Sequence, residues 1–452
     1  MELNSIQRVY LIGIGGIGMS GLARYFRHRG CLVAGYDKTS TALTMALEQE
    51  NIEITYHDGI DYIPFDFNGP EEGTLIIYTP AVPADLLILS FFQDKNFSLK
   101  KRSEVLGIIS KGMFTIAVAG THGKTTTSSM VAHILRASGN DCSAFLGGIA
   151  TNYQTNVLFG SNEMLVVEAD EYDRSFLTLH PDIAVVTSMD ADHLDIYGDK
   201  NSMAEAFQQF ASQLKADGKL ICKRGLPLAK GFTYAINDEA DALAENISIK
   251  NGSYYFDFRN HEVQIQNIQL GIAGVHNVEN AVAAIQTALF LDVDPKEIRA
   301  ALQSFLGIKR RFEYIINTTK TIYIDDYAHH PEELRACITS VKELYPNKEL
   351  TVIFQPHLYT RTRDFADEFA EVLSQTDHLL LLDIYPAREM PIEGVDAEMI
   401  LERMKASSNT KKYTVKEALQ YVQRQKPELL LTVGAGDIDK MVEPLKAALQ
   451  DV

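Results

Sequence analysis

Twice in this chain of 452 residues an apolar run breaks into a glycine-rich turn that opens a helix, and no other feature limits the fold as much. The first turn is Gly13-Ile14-Gly15-Gly16-Ile17-Gly18, between a strand-like run at 8–12 and a helix-like stretch at 19–29. The second is Gly120-Thr121-His122-Gly123-Lys124-Thr125-Thr126-Thr127, between an apolar run at 114–119 and a helical pattern at 125–138. A strand that feeds a helix through a short turn is half of a βαβ unit. Such units require a mostly parallel sheet with helices on its faces, so the fold class is α/β.

The two turns carry different chemistry. Gly13 to Gly18 fits GxGxxG in its required context. Its glycines let the backbone turn tightly and approach a pyrophosphate, and the helix start offers unpaired N–H groups to the anion. Asp37 ends the next strand-like run, at 31–36, where an acid would meet a sugar or a base. The motif indicates a nucleotide pyrophosphate rather than NAD in particular, and a turn that merely packs a helix on a sheet is the bland alternative. In the second turn, backbone N–H groups would cradle β- and γ-phosphates, Lys124 would neutralise them and the Thr125 hydroxyl would ligate Mg²⁺. The strict pattern GxxxxGK[ST] is not met, because its first position is Val118, but the core Gly-Lys-Thr is intact. An NAD oxidoreductase would use the first turn and leave Lys124 and Thr125 idle. A nucleotide-sensing module would bind without making a product.

Strand and helix patterns divide the chain into three segments, expected at 1–107, 108–308 and 309–452, the middle one with a small β-rich region at about 220–270. The formal charge is −18, from 42 basic and 60 acidic side chains, which disfavours a nucleic-acid partner that needs a basic face. Four cysteines, none in a CxxC pair, indicate neither a zinc site nor a disulfide framework. No signal peptide is visible and no run approaches the roughly 18 apolar residues of a membrane span. A cytoplasmic setting without membrane contact is expected.

Polar residues gather where buried strands stop. The strand-like run at 164–167 leads to Glu168-Ala169-Asp170-Glu171, and that at 183–187 to Ser188-Met189-Asp190-Ala191-Asp192-His193. Ligand crevices of open α/β sheets lie beyond these carboxyl ends, so Glu168 and His193 are candidates to join the phosphate loop. Mg²⁺ prefers oxygen, which makes Glu168 the more natural ligand of the two. The third segment repeats the pattern. Its strand-like runs lead to Asp325-Asp326-Tyr327-Ala328-His329-His330, to Gln355-Pro356-His357 with Arg361, to Asp383 with Arg388, and to Gly434-Ala435-Gly436-Asp437. Arg361 and Arg388 would stabilise carboxylate or phosphoryl charge. Adjacent His329 and His330 face opposite ways on an extended chain, which favours hydrogen-bonding roles over a shared metal.

These motifs, in this order, resemble the Mur ligases, and within them the branch that acts on UDP-N-acetylmuramate and L-alanine. The match runs through GIGGIGMSGLA at 13–23, GTHGKTTT at 120–127, EADEYDRSFL at 168–177, DADHLD at 190–195 and GVHNVENAVAA at 274–284. It continues through RRFE at 310–313, DDYAHHPEE at 325–333, QPHLYTRTRDF at 355–365 and DIYPAREMPIEGV at 383–395. Departures stand at Ser188, where relatives often carry Asn, and at Thr79-Pro80-Ala81-Val82. The resemblance implies a Rossmann-like UDP-sugar domain, a P-loop ATPase-type central domain and a Rossmann-like C-terminal ligase domain. It implies ATP and Mg²⁺, with UDP-N-acetylmuramate and L-alanine as substrates, in a monomer or homodimer. By that resemblance Gly15, Gly16, Gly18, Ser20 and Asp37 hold the UDP-sugar, with His357. Gly120, Thr121, His122, Gly123, Lys124, Thr125 and Thr126 hold ATP, with Asn277, Asn280, Arg311, Asp326 and Tyr327. Thr125, Glu168 and His193 serve the metal, and Lys124, His193, His329 and Arg361 are the catalytic group. A related ligase that attaches a preformed peptide to the same sugar nucleotide stays open beside this reading.

Overall fold

The structure, a computed structural model, describes residues 3–69, 72–190, 197, 199–228, 230–250, 252–387, 389–404 and 409–450. Three sheets carry the chain. The first holds β1 (Arg8–Ile12), β2 (Leu32–Tyr36), β3 (Glu53–Thr55), β4 (Thr74–Tyr78) and β5 (Ser98–Lys101) in the order β3-β2-β1-β4-β5, all parallel. Helix α1 (Ile17–His28) follows β1, and α2 (Arg102–Lys111) follows β5.

The second sheet holds β6 (Phe114–Ala119), β7 (Ser143–Ala150), β8 (Thr155–Leu158), β9 (Met164–Glu168), β10 (Ile183–Val186) and β11 (Lys219–Lys223). It continues with β12 (Phe232–Ile236), β13 (Ala242–Lys250), β14 (Ser253–Asn260) and β15 (Gln264–Gln269). The order is β15-β14-β13-β12-β11-β10-β6-β9-β7-β8, with β8 antiparallel to β7. Helix α3 (Lys124–Ala137) follows β6, and α4 (Val275–Leu289) follows the β-rich stretch. The third sheet holds β16 (Glu313–Asn317), β17 (Ile322–Asp326), β18 (Leu350–Phe354), β19 (His378–Leu381), β20 (Thr410–Lys412) and β21 (Leu429–Val433). Its order is β16-β17-β21-β18-β19-β20, parallel except for the edge strand β16, and α5 (Pro331–Leu344) follows β17.

Packing divides the chain into two compact units. One comprises residues 1–246, 256–268 and 276–305; the other comprises 247–255, 269–275 and 306–452. The reason the first unit holds two sheets is visible in β1. Its alternate side chains enter different cores, as a period of two requires. Tyr10 and Ile12 join Phe67 and Phe92 on one face. Val9 and Leu11 join Leu22 and Phe26 of α1, and this core runs on into Ala117, Leu165, Val167 and Phe207 of the second sheet's layer. A continuous apolar core makes two sheets one body. The second unit has its own core around Tyr323, Ile353, Leu380 and Leu430.

Long apolar runs became the expected strands, while the short, polar edge strands β3, β5 and β20 give no such sequence signal. The stretch at 220–270 extends the second sheet through β11–β15, but residues 247–255 and 269–275 pack with the second unit. Among the described residues no helix is long and apolar enough to cross a membrane.

Candidate active site

Ligands of open parallel sheets bind where neighbouring strands depart in opposite directions. The first sheet has that point at β1, which lies between β2 and β4. Gly13 turns the chain at φ +83°, and a Cβ there would stand 2.7 Å from the Thr79 methyl. The Asp37 carboxylate accepts the Gly15 N–H at 2.8 Å, so the acid expected at a sugar also braces the turn itself. Gly16 starts α1 without a side-chain cap, which leaves the first helical N–H groups to an incoming anion. Gly18 lies under the Arg102 guanidinium, whose Nη1 is 2.5 Å from where a Cβ would stand. Ser20 does not face this opening. It is fully buried one turn into α1, donates to the Ile17 carbonyl at 2.8 Å and accepts from Asn156 at 3.2 Å, because its side chain points to the second sheet's layer.

The second sheet has its switch point at β6, between β9 and β10. The loop after β6 is held from both sides. The Ser188 hydroxyl accepts the His122 N–H at 2.7 Å and meets the Thr121 hydroxyl at 2.8 Å. Thr187 donates to the His122 carbonyl. Gly120, at φ +138°, lies so close to Thr187 and the Ser188 N–H that no Cβ fits, and Gly123 adopts φ +81° against Asn280. Asn280 in turn donates to Asn277 at 3.1 Å, so both asparagines of α4 sit beside the loop. Lys124 reaches back over the loop. Its Nζ donates to the Gly120 carbonyl at 2.6 Å and lies 2.7 and 2.9 Å from the two carboxylate oxygens of Glu171, which is 1% exposed. Thr125 and Thr126 are buried in the first turn of α3. Glu168 closes β9 with its carboxylate accepting the Gly147 N–H at 3.1 Å. His193 lies outside the described residues, as does Arg388.

The two turns are joined by a short chain of contacts. Arg102, over Gly18, pairs with Asp170 at 3.3 Å, and Asp170 precedes the Glu171 that holds Lys124.

The second unit presents another set at the carboxyl ends of β17, β18 and β21. Asp325 is fully buried, pairs with Arg310 Nε at 3.1 Å and accepts from Thr432; burial raises its carboxyl above the usual range. Asp326 accepts the N–H groups of Phe312 and Ala328, each at 2.7 Å, and burial pushes it up to about 6. Arg310 also donates to the Gly434 carbonyl at 2.6 Å and lies 5.3 Å from the centre of the Tyr327 ring. Arg311, the arginine expected at the nucleotide, is exposed. Tyr327 keeps 44% of its surface exposed. His329 Nδ1 lies 2.9 Å from the Tyr327 carbonyl, and its ring meets His357 edge-on at 5.8 Å. Burial, then the nearby His329 and Arg361 charges, push His357 down to about 4. It is therefore neutral near pH 7, with Nδ1 free to accept from Arg361 Nη1 at 3.3 Å. Arg361 is half-buried beside it and remains a cation suited to a carboxylate.

Sequence reading missed several partners. Glu171 stood in it only as one of three acids, Ser188 as a minor departure, Arg310 only within a motif, and Arg102 and Gly147 not at all. Arg310 sits in a turn at φ +61°, so no strand periodicity marks which of the two adjacent arginines reaches the buried Asp325.

A lysine- and threonine-bearing phosphate loop, with a second pyrophosphate turn in the same unit, defines a class: α/β enzymes that use a nucleoside triphosphate on a nucleotide-linked substrate. Residues 8–113 match the family model described as Mur ligase family, catalytic domain; 118–288 match the Mur ligase middle domain; 310–436 match the Mur ligase glutamate ligase domain. A UDP-N-acetylmuramate–L-alanine ligase of Flavobacterium psychrophilum is 49% identical over 451 residues, 100% of both chains. The crystal structure of the UDP-N-acetylmuramate–alanine ligase of Thermotoga maritima superimposes with a TM-score of 0.84 at 27% identity, covering 98% of this chain and 99% of that one. A murein peptide ligase of Psychrobacter arcticus shares the fold with a TM-score of 0.67 at 23% identity over 99% of each chain. The chain belongs to the Mur ligase family, a family of ATP-dependent ligases.

Proposed function

We propose that this chain joins L-alanine to the lactyl carboxylate of UDP-N-acetylmuramate, with ATP as energy donor, in the synthesis of peptidoglycan precursors. The observation that carries this reading is the presence of two phosphate cradles in one unit, linked through Arg102 and Asp170. The full-length similarity to the Flavobacterium ligase supports the choice of sugar nucleotide and amino acid. Residues 1–107 hold the sugar nucleotide, 108–308 hold ATP and 309–452 hold the amino acid. The enzyme works in the cytoplasm, as a monomer or homodimer.

A carboxylate is a poor electrophile and has to be activated. The lactyl carboxylate attacks the γ-phosphorus of ATP, the bond to ADP breaks and an acyl phosphate forms. The amine of L-alanine then attacks the acyl carbon, the C–O bond to phosphate breaks, and the amine loses its proton. Lys124 and the loop N–H groups offset the repulsion between the two anions in the first step. The donor set beside the loop, the Thr125 hydroxyl and the Glu168 carboxylate, fits a hard divalent cation. Thr125 and Glu168, with His193, would hold Mg²⁺, which when bound neutralises charge on the β- and γ-phosphates. Arg361, with neutral His357 and His329 beside it, fits the carboxylate of the incoming amino acid. Water has to be excluded, since it would hydrolyse the acyl phosphate.

The test is an amide-forming assay with ATP, UDP-N-acetylmuramate and a panel of amino acids and peptides, read by product mass. A product heavier by one alanine residue is expected. A tripeptide adduct in preference to it would favour the peptide-attaching relative, and ATP turnover without any adduct would defeat both.

A further inference from the structure

We infer that Arg102 is a further binding residue for the pyrophosphate of the nucleotide sugar, an inference that rests on the function just proposed. Arg102 opens α2 and is 23% exposed in its side chain. Its guanidinium lies directly on Gly18, the third glycine of the pyrophosphate turn, with Nη1 2.5 Å and Cδ 3.1 Å from the position a Cβ would take. The glycine thus makes room for an arginine as well as for an anion. A guanidinium carries five N–H donors in a fixed fork. Among the described residues Arg102 spends one of them, on a 3.3 Å contact from Nη2 to Asp170 Oδ2.

Asp170 is itself fixed, because its other oxygen accepts the Tyr172 N–H at 3.1 Å. It therefore holds one edge of the guanidinium and leaves the rest of the fork for a ligand. Arg102 also lines a small crevice with Glu168, Asp170, Ser175 and Phe176. An anion seated on the uncapped start of α1 lies within reach of Nη1. Planar, paired donors suit phosphate oxygens. The two anions of the proposed substrate are its pyrophosphate and its lactyl carboxylate. The contact with Gly18, inside the pyrophosphate turn, points to the former.

The experiment compares Arg102→Gln and Arg102→Lys with the unaltered chain by titration calorimetry, using UDP, UDP-N-acetylglucosamine, UDP-N-acetylmuramate and ADP. Arg102→Gln should weaken all three uridine ligands by a similar factor of about ten or more, Arg102→Lys by less, and ADP by less than twofold. A loss confined to UDP-N-acetylmuramate would overturn the assignment in favour of the lactyl carboxylate. Equal loss for ADP, or a lowered melting temperature with uridine affinities unchanged, would reduce Arg102 to a strut against Asp170. If the unaltered chain binds none of the uridine ligands, the proposed function itself fails; if it binds them and Arg102→Gln binds them equally well, only this inference does.

Discussion

The Lys124–Glu171 pair is where sequence and structure diverge most usefully at the scale of single residues. Lys124 and Thr125 are legible in the sequence because a phosphate loop needs a lysine and a hydroxyl at fixed offsets. Which of Glu168, Asp170 and Glu171 reaches the lysine is not legible, since three acids after one strand end differ only in how the chain bends there. The buried carboxylate of Glu171 has an energetic consequence. Removing one partner of a buried pair strands the other and costs about 3–5 kcal/mol. Lys124→Ala should therefore abolish amide formation and also lower unfolding stability by roughly 3 kcal/mol in urea titrations. Adding Glu171→Gln should restore most of that stability and none of the activity; a Lys124→Ala chain as stable as the original would contradict the pairing. His357 offers a test by pH. Its imidazole should titrate near 4 in a proton NMR titration of the folded chain, not near the ordinary histidine value of about 6.5. The sign follows from which state holds the proton. Between these values the unfolded chain binds more protons, so this group adds stability as pH rises through the window and gives its full contribution above about 6.5. A midpoint near 6.5 would place His357 in water rather than in the protein.

At the scale of elements, apolar runs such as those of β1, β6, β18 and β21 announce themselves, because strands covered on both faces must be apolar throughout. Edge strands such as β20, Thr410–Lys412, need no such composition. The helix Pro295–Ser304 went unread although its start is marked: Asp294 caps it by accepting the Lys296 N–H at 2.7 Å and Pro295 occupies the first position. The buried place of Ser20 was not legible either, since the partner that turns it away from the Gly13–Gly18 turn is Asn156, on β8 of another sheet. The junction of β6 and α3 gives a sharp prediction. A Cβ on Gly123 would stand 2.5 Å from Asn280 Oδ1, at φ +81°. Gly123→Ala should cost about 1–2 kcal/mol in backbone strain alone and, by displacing Asn280, raise the KM for ATP at least tenfold. An alanine variant with unchanged stability and KM would mean that the loop does not need this geometry.

For the molecule as a whole, the first unit is one body because β1 and α1 share their core with the second sheet. Both glycine-rich turns belong to that body, and on the proposed reading this is the physical basis for coupling two nucleotides in one reaction. It follows that ATP consumption should depend on the sugar nucleotide, with ADP release at least tenfold slower in its absence; rapid ATP turnover without it would separate the two cradles functionally. The central claim is that the carboxylate on one nucleotide takes the γ-phosphoryl of the other. It is tested most directly with UDP-N-acetylmuramate carrying ¹⁸O in both lactyl carboxylate oxygens, turned over with ATP and L-alanine, followed by mass analysis of the released phosphate. One ¹⁸O in the phosphate and one in the new amide is the expected result; phosphate free of ¹⁸O, with amide formed, would contradict it.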